Sequence, residues 1–212
     1  MDYRRRVCTL LLALATLLTA APASAKILKL RVDPRATQIV VTVDEPLARI
    51  RGNVSGSFQV ITGQITGDPD DPVGTGHIDI VVNATTYTSD SPHRDNKVLA
   101  DVLGTRFYPI IKFVSTRIEN LKWDKAGVMG SATIVGNLKL HGVTREVSVP
   151  ISAMYASDNS FSADGDFQID YTDYGMKPPS LLGTLKAGKI ADINFRIIAA
   201  PADAPPAAPA QQ

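Results

Sequence analysis

The sequence has a single cysteine, few aromatic residues and none of the common catalytic motifs. Cys8 is the only thiol among 212 residues, and aromatic side chains make up 6% of the chain. One cysteine allows neither an internal disulfide framework nor a zinc site built from cysteines. The chain also lacks His-Glu-x-x-His, Gly-x-Ser-x-Gly, phosphate-loop and Ser-x-x-Lys patterns. We therefore predict a protein that is not an enzyme, with no catalytic residues and no cofactor.

The chain has only one long apolar run, and that run lies at the N-terminus. Val7–Ala21 follows Arg4–Arg6 and precedes the small residues Ala23–Ala25. This order is typical of a secretory signal peptide, so we predict cleavage of residues 1–25 before Lys26 and an exported protein without a membrane span. A bilayer span takes about 20 residues, and a retained anchor is the alternative. The arginine pair leaves Sec and Tat export both open.

Neither charge nor histidine content points to a nucleic-acid or metal partner. Cleavage would remove Cys8, Asp2 and three arginines, and would change the formal net charge from +1 to −1. No run of Lys or Arg remains, so no nucleic-acid partner is predicted. His77, His93 and His141 lie far apart in the sequence, so no metal site is predicted.

The C-terminal residues differ in composition from the rest of the chain. Residues 200–212 contain four Pro, six Ala and no large apolar side chain. Such a segment buries too little surface to offset the entropy cost of ordering, so we predict a disordered tail. The predicted folded domain is therefore residues 26–199, a length that normally forms one domain.

Alternation of apolar and polar residues dominates that domain. In Phe161–Tyr171 the odd positions are apolar or small and the even positions polar, which predicts a strand with one dry face. Only Pro92–Leu103 has helical spacing, with Gly104 as a stop signal. The strand candidates are Thr37–Val43, Gly52–Ile61, His77–Ala84, Ile110–Ile118, Ala132–Leu140, Val143–Ile151, Phe161–Tyr171 and Lys189–Ile197.

About eight half-polar strands and one short helix predict an all-β fold. With so little helix, the dry face of an antiparallel sheet has to meet another sheet or its own continuation, which gives a sandwich or a closed barrel. The interior of an eight-stranded barrel is just wide enough for packed side chains or for one small ligand. Periodicity does not decide between these two fillings.

Three ordered motifs resemble the YceI-like family. They are Arg-Asp-Asn-Lys-Val…Asp-Val-Leu…Tyr-Pro-Ile-Ile-Lys-Phe at 94–113, Leu-Lys-Leu-His-Gly-Val-Thr-Arg-Glu-Val at 138–147 and Asp-Tyr-Gly-Met-Lys-Pro at 173–178. The similarity runs from about Ala36 to Ile198. It implies an extended eight-stranded antiparallel β-barrel, lipocalin-like, with one short helix. It also implies a periplasmic protein with a cavity that holds a polyisoprenoid, an isoprenoid quinone or another long-chain lipid.

These implications select candidate binding residues on the apolar strand faces and at a polar rim. Arg94 and Lys97 are the rim candidates, since either cation could hold an anionic headgroup. The wall candidates are Ile111, Phe113, Val147, Val149, Phe161, Phe167, Ile169, Ile193 and Phe195. The alternatives are a ligand-free envelope stress or interaction protein with a side-chain-filled barrel, and a hydrolase or metal-dependent enzyme. The oligomeric state stays open, with a homodimer as one option.

Overall fold

The computed structural model describes residues 26–44, 53–156, 159–181 and 185–203. The predicted signal peptide, residues 1–25, and most of the predicted tail, residues 204–212, lie outside the described residues. In the described part of the chain, no helix combines the length and the apolar character needed to cross a membrane. The strands are β1 Leu28–Val32, β2 Gln38–Val43, β3 Val54–Phe58, β4 Ile61–Gly67, β5 His77–Asn83, β6 Tyr87–Ser89, β7 Ile110–Trp123, β8 Met129–Leu140, β9 Val143–Tyr155, β10 Phe161–Asp170, β11 Ser180–Leu181, β12 Leu185–Lys186 and β13 Ile190–Pro201.

The large sheet closes on itself through β13. Its strands follow the order β1-β4-β5-β7-β8-β9-β10-β13, and β13 pairs back onto β1. The first half of β13 also pairs with β2, which carries β3 and β6 beside it. We call each of the eight lengths of barrel wall a stave. Three staves are bent into two strands each, namely β1 with β2, β3 with β4, and β5 with β6. The all-β, eight-stranded antiparallel barrel expected from the sequence is therefore confirmed.

The period-two pattern positions each stave, with apolar side chains inside and polar ones outside. On β10, Ala163 and Ile169 are buried inside the barrel, whereas Asp164 forms an ion pair with Arg196 of β13 on the outer face. A shift of one residue would turn every apolar side chain outward, so the pattern fixes the pairing register. The long β8–β9 hairpin turns at His141 and Gly142, whose φ angles of 51° and 80° suit a tight two-residue turn.

A helix lies across one end of the barrel, between β6 and β7. Besides the single turn α1 (Pro72–Thr75), the structure has α2 (Pro92–Lys97), which runs directly into a π-helical turn at Val98–Val102. The Asp95 carboxylate ties α2 to β6 because it accepts hydrogen bonds from the Ser89 backbone N–H at 2.9 Å and the Ser89 hydroxyl at 2.5 Å. Gly104, with φ of 56°, ends the helical segment as the sequence predicted.

Several boundaries differ from the sequence-based prediction. The predicted strand Gly52–Ile61 is interrupted at Gln59 and Val60, where the stave bends and the Gln59 N–H bonds to Thr86 instead of to a strand neighbour. Strand β1 was not predicted. The helix is π-helical in its second half. Strand β13 continues to Pro201, two residues beyond the predicted domain end, because Ala200 and Pro201 pair with β1.

Asp95 gives a test of how α2 is held. Hydrogen bonds from Ser89 lower the pKa of the Asp95 carboxyl below its usual value. A lowered folded-state pKa stabilises the protein above the unfolded value of about 4, and this contribution is lost as pH falls through the folded pKa. We expect Asp95→Asn to lower the free energy of unfolding by about 1 kcal/mol at pH 7. Urea unfolding should show this difference shrinking below about pH 4.

The matched control is Asp101→Asn, which changes an exposed carboxylate of the same helical segment. It should leave stability nearly unchanged at both pH values. An Asp95→Asn protein as stable as wild type at pH 7 would contradict the anchoring role.

Candidate ligand cavity

The inward side chains do not fill the barrel. They enclose a cavity of about 540 Å³ that runs along the barrel. This volume falls in the range of about 300–1,000 Å³ that is usual for ligand sites. Its wall is almost wholly apolar and is contributed by the staves, as in Ile39, Val41 and Val43 of β2, Ile65 of β4, Ile78, Ile80 and Val82 of β5, Ile134, Leu138 and Leu140 of β8, and Ile197 of β13.

Buried side chains form two clusters, and members of both line the cavity. One cluster is centred on Ile61, which is 0% exposed, and Val32. The other contains Leu140, Tyr171 and Tyr174. Four side chains are only partly buried and pack against both clusters, namely Val41, Leu103, Ile111 and Phe113. Side chains in a fully packed core lose nearly all their solvent exposure. The exposure that these four side chains keep is therefore consistent with an empty space beside them.

Aromatic rings lie back against the barrel wall, over glycines. A Cβ at Gly136 would come within 2.6 Å of the Phe113 ring, and one at Gly165 within 2.6 Å of the Phe195 ring. Tyr87 covers Gly56 even more closely. Because these glycines have no side chain, each ring can lie directly against the backbone of the barrel wall. The rings then take up less of the space in the middle of the lumen.

One end of the cavity reaches the surface beside α2. Ser91, His93, Arg94 and Lys97 line this end, and His93 and Lys97 are also exposed to solvent. Arg94 is already engaged with the Asp90 carboxylate. Within the described part of the chain, Lys97 has no carboxylate within ion-pair distance. The opening therefore carries at least one positive charge, that of Lys97, without an ion-pair partner among the described residues.

Two phenols lie in the wall, and both stay neutral at ordinary pH. Burial, followed by the charge of Asp95, raises the pKa of Tyr87. Burial and then Asp170 raise the pKa of Tyr171, whose hydroxyl donates to the Gly188 carbonyl at 2.6 Å. The wall thus carries hydroxyl groups but no buried charge.

The structure brings nearly all the predicted site residues to this cavity. Arg94 and Lys97 line its opening, and the predicted wall residues that line it are Ile111, Phe113, Val149, Phe161, Phe167, Ile169, Ile193 and Phe195. Val147 is not among the lining residues and packs against the Tyr171 cluster instead. The binding role of each residue stays a prediction.

The predicted wall residues do not include those that β2, β4, β5 and β8 contribute. Val41, Ile65 and Ile78 are examples. The signal was present for β2, β5 and β8, because all three lie in segments predicted as strands. For β4 it was hidden, because the predicted strand ended at Ile61.

The three histidines do not meet. His77 begins β5, His93 lies in α2, and the His141 ring packs on Tyr108 with ring centres 4.3 Å apart. The His141 Nδ1 lies 3.2 Å from the Tyr174 carbonyl. Among the residues that the structure describes, no three His, Cys, Asp or Glu side chains converge as a metal site would need.

Fold and cavity place the molecule among eight-stranded antiparallel barrels that enclose an apolar lumen. Within this class the YceI-like domain family matches residues 30–199, so the chain belongs to the YceI-like family. A UPF0312 protein of Pseudomonas putida (strain W619) is 29% identical over 134 residues, covering 59% of this chain. The chain spans about 65% of the length of this curated relative.

Two solved structures share the fold. BcnA of Burkholderia cenocepacia has a TM-score of 0.65 at 17% identity, covering 79% of this chain and 98% of BcnA. A polyisoprenoid binding domain from Saccharophagus degradans, implicated in plant cell wall breakdown, has a TM-score of 0.65 at 13% identity. That match covers 82% of this chain and 99% of the domain. At such low sequence identities, the structural similarity establishes only that the three proteins share the barrel fold.

The open lumen predicts an unusual ranking of core substitutions. Phe167 lines the void and contacts Phe195 edge-on with ring centres 6.4 Å apart, whereas Ile61 is fully buried. In the ligand-free protein we expect Ile61→Ala to lower the free energy of unfolding by about 2–5 kcal/mol. Phe167→Ala should cost less than Ile61→Ala, although it deletes a larger side chain, since fewer contacts are lost.

Urea unfolding of the ligand-free protein measures both values. A larger loss for Phe167→Ala than for Ile61→Ala would mean that the lumen is packed in solution, and it would contradict the open cavity.

Proposed function

We propose that the mature protein is exported to the periplasm, where it binds a polyisoprenoid, an isoprenoid quinone or another long-chain lipid inside the barrel. It would act by sequestering or carrying this lipid and not by catalysis. The observation that carries the proposal is the apolar cavity of about 540 Å³, whose wall side chains are left partly exposed to an open lumen.

The shape of the cavity favours a long chain over a compact ligand. Its wall includes Ile169 near one end of β10 and Phe161 at the other. These residues are eight positions apart, which is about 26 Å along a strand. An apolar chain threaded along this length gains about 0.8 kcal/mol for each buried CH₂ group, before the cost of ordering it.

The polar opening favours an amphiphile whose headgroup stays at the surface. Lys97 is the stronger candidate for an anionic headgroup, because Arg94 already has Asp90 as a partner. Lys97 is exposed, so the interaction would be screened by salt and would orient the ligand more than hold it. The shared fold with the polyisoprenoid binding domain of Saccharophagus degradans supports this class of ligand.

Export is proposed from the N-terminal sequence. Arg4–Arg6, the apolar run Val7–Ala21 and the small residues Ala23–Ala25 support a cleaved signal. We expect protein isolated from the periplasm of an expressing bacterium to begin at Lys26, as N-terminal sequencing or intact-mass measurement would show. A cytoplasmic protein that retains Met1 would overturn the export proposal.

A lumen-filling substitution tests lipid binding directly. Ile193 points into the cavity, whereas the next residue, Asn194, is exposed on the outer face of the same strand. Ile193→Trp should abolish uptake of a fluorescent prenol, because the indole occupies the space of the guest. It should fold normally, since the void accommodates the added volume. Asn194→Trp adds the same side chain outside and should bind like wild type.

Two results would count against this function. The first is that organic extracts of the purified protein contain no lipid and the delipidated wild type takes up no prenol, quinone or fatty acid. The second is that Ile193→Trp binds the probe as tightly as wild type, which would place the ligand elsewhere.

A further inference from the structure

A group of exposed apolar side chains lies at the barrel end that carries α2. Phe107 is 74% exposed, Ile110 47%, Tyr108 37% and Val143 36%. We call these four residues the apical patch. Large apolar side chains are usually exposed singly, and a contiguous group marks a surface that contacts another apolar phase.

The patch is held in a fixed shape by its backbone and by one ring stack. The Phe107 and Tyr108 N–H groups both donate to the Gly104 carbonyl, at 2.9 and 3.0 Å, and form a tight turn after α2. Tyr108 packs against His141 and lies against Gly142, at the tip of the β8–β9 hairpin. The Phe107 and Tyr108 ring centres are 6.5 Å apart. These contacts support the turn in a conformation that leaves Phe107 exposed.

Positive charge accompanies the apical patch. The Arg106 guanidinium carbon lies 5.7 Å from the centre of the Phe107 ring. Lys139 is exposed on the outer face of β8, opposite Lys112 of β7, whose own charge is paired with Asp79. Within the described residues neither Arg106 nor Lys139 has a carboxylate partner, and Asp101 is the exposed acid that precedes the turn. Apolar rings flanked by cations suit the interface of a membrane that contains anionic lipid.

We propose that the apical patch docks the barrel on an anionic lipid bilayer, with Phe107 inserted among the acyl chains and Arg106 at the headgroups. This inference rests on the proposed function, because the patch follows α2 at the end where the cavity reaches the surface. A lipid could then move between bilayer and barrel without crossing bulk water.

Vesicle flotation of the mature, full-length chain tests the docking. Wild type should float with phosphatidylcholine vesicles that contain phosphatidylglycerol, and more weakly with pure phosphatidylcholine vesicles. Phe107→Ser should weaken partition about tenfold. Arg106→Gln should weaken it about fivefold on the anionic vesicles only. The matched control is Val73→Ser, because Val73 is 54% exposed on α1 at the opposite end of the barrel.

Tryptophan quenching locates the inserted surface. Trp123 is the only tryptophan, and it ends β7 far from the apical patch. Brominated lipid should therefore leave wild-type emission unchanged. It should quench the Phe107→Trp protein in a Trp123→Phe background.

Several outcomes would overturn the docking proposal. They are a wild type that floats with neither vesicle, a Phe107→Ser protein that floats like wild type, and a Phe107→Trp emission that brominated lipid does not quench. A dimer that Phe107→Ser converts to monomer, without vesicle binding, would assign the patch to a second copy of this chain. Uptake of a prenol from detergent micelles is measured in parallel. If it persists while flotation fails, docking is wrong and lipid binding stands.

Discussion

The open lumen depends on the close approach of aromatic rings to glycines in the barrel wall. The interior of an eight-stranded barrel can be filled by side chains alone, and three large rings pointing to its centre would go far towards filling it. Here the rings of Tyr87, Phe113 and Phe195 lie against the wall, in places that a Cβ would occupy. The same residues that supply the apolar surface of the cavity therefore also leave its volume free. A cavity wall and a packed core can have the same amino-acid composition. Here the direction of the aromatic rings decides which of the two forms.

Closure of the sheet explains how this hollow barrel holds its shape. Strand β13 bonds to β2 along its first half and to β1 along its second, and its pairing with β1 closes the sheet into a barrel. The described residues contain no cysteine, and no disulfide supports the wall. Stability then comes from the strand pairing and from the two clusters of buried side chains, members of which line the void. A ligand that fills the void would add contacts to both clusters, which links occupancy to stability.

Much of the architecture could be predicted from alternation, and the failures have local causes. Phe161–Asp170 alternates without interruption and was predicted almost to the residue. The break at Gln59 was not predictable, because it depends on hydrogen bonds with Thr86, which is distant in the sequence. Strand β1 alternates as regularly as the others, with Leu30 and Val32 inward, but it lies outside the predicted strands. Alternation identifies which face is inside, but it does not show whether that inside is filled.

The two ends of the barrel differ, and this asymmetry gives the cavity a direction. At one end, α2 crosses from β6 to β7, and its exposed residues His93 and Lys97 border the lumen. Asp95 ties this helix to β6 through Ser89, so the border is fixed on the β6 side. On the other side the chain turns at Gly104, and the packing of Tyr108 on His141 secures the turn that exposes Phe107. An amphiphile bound in this cavity would have its headgroup beside the charged opening at α2 and its apolar chain along the apolar wall.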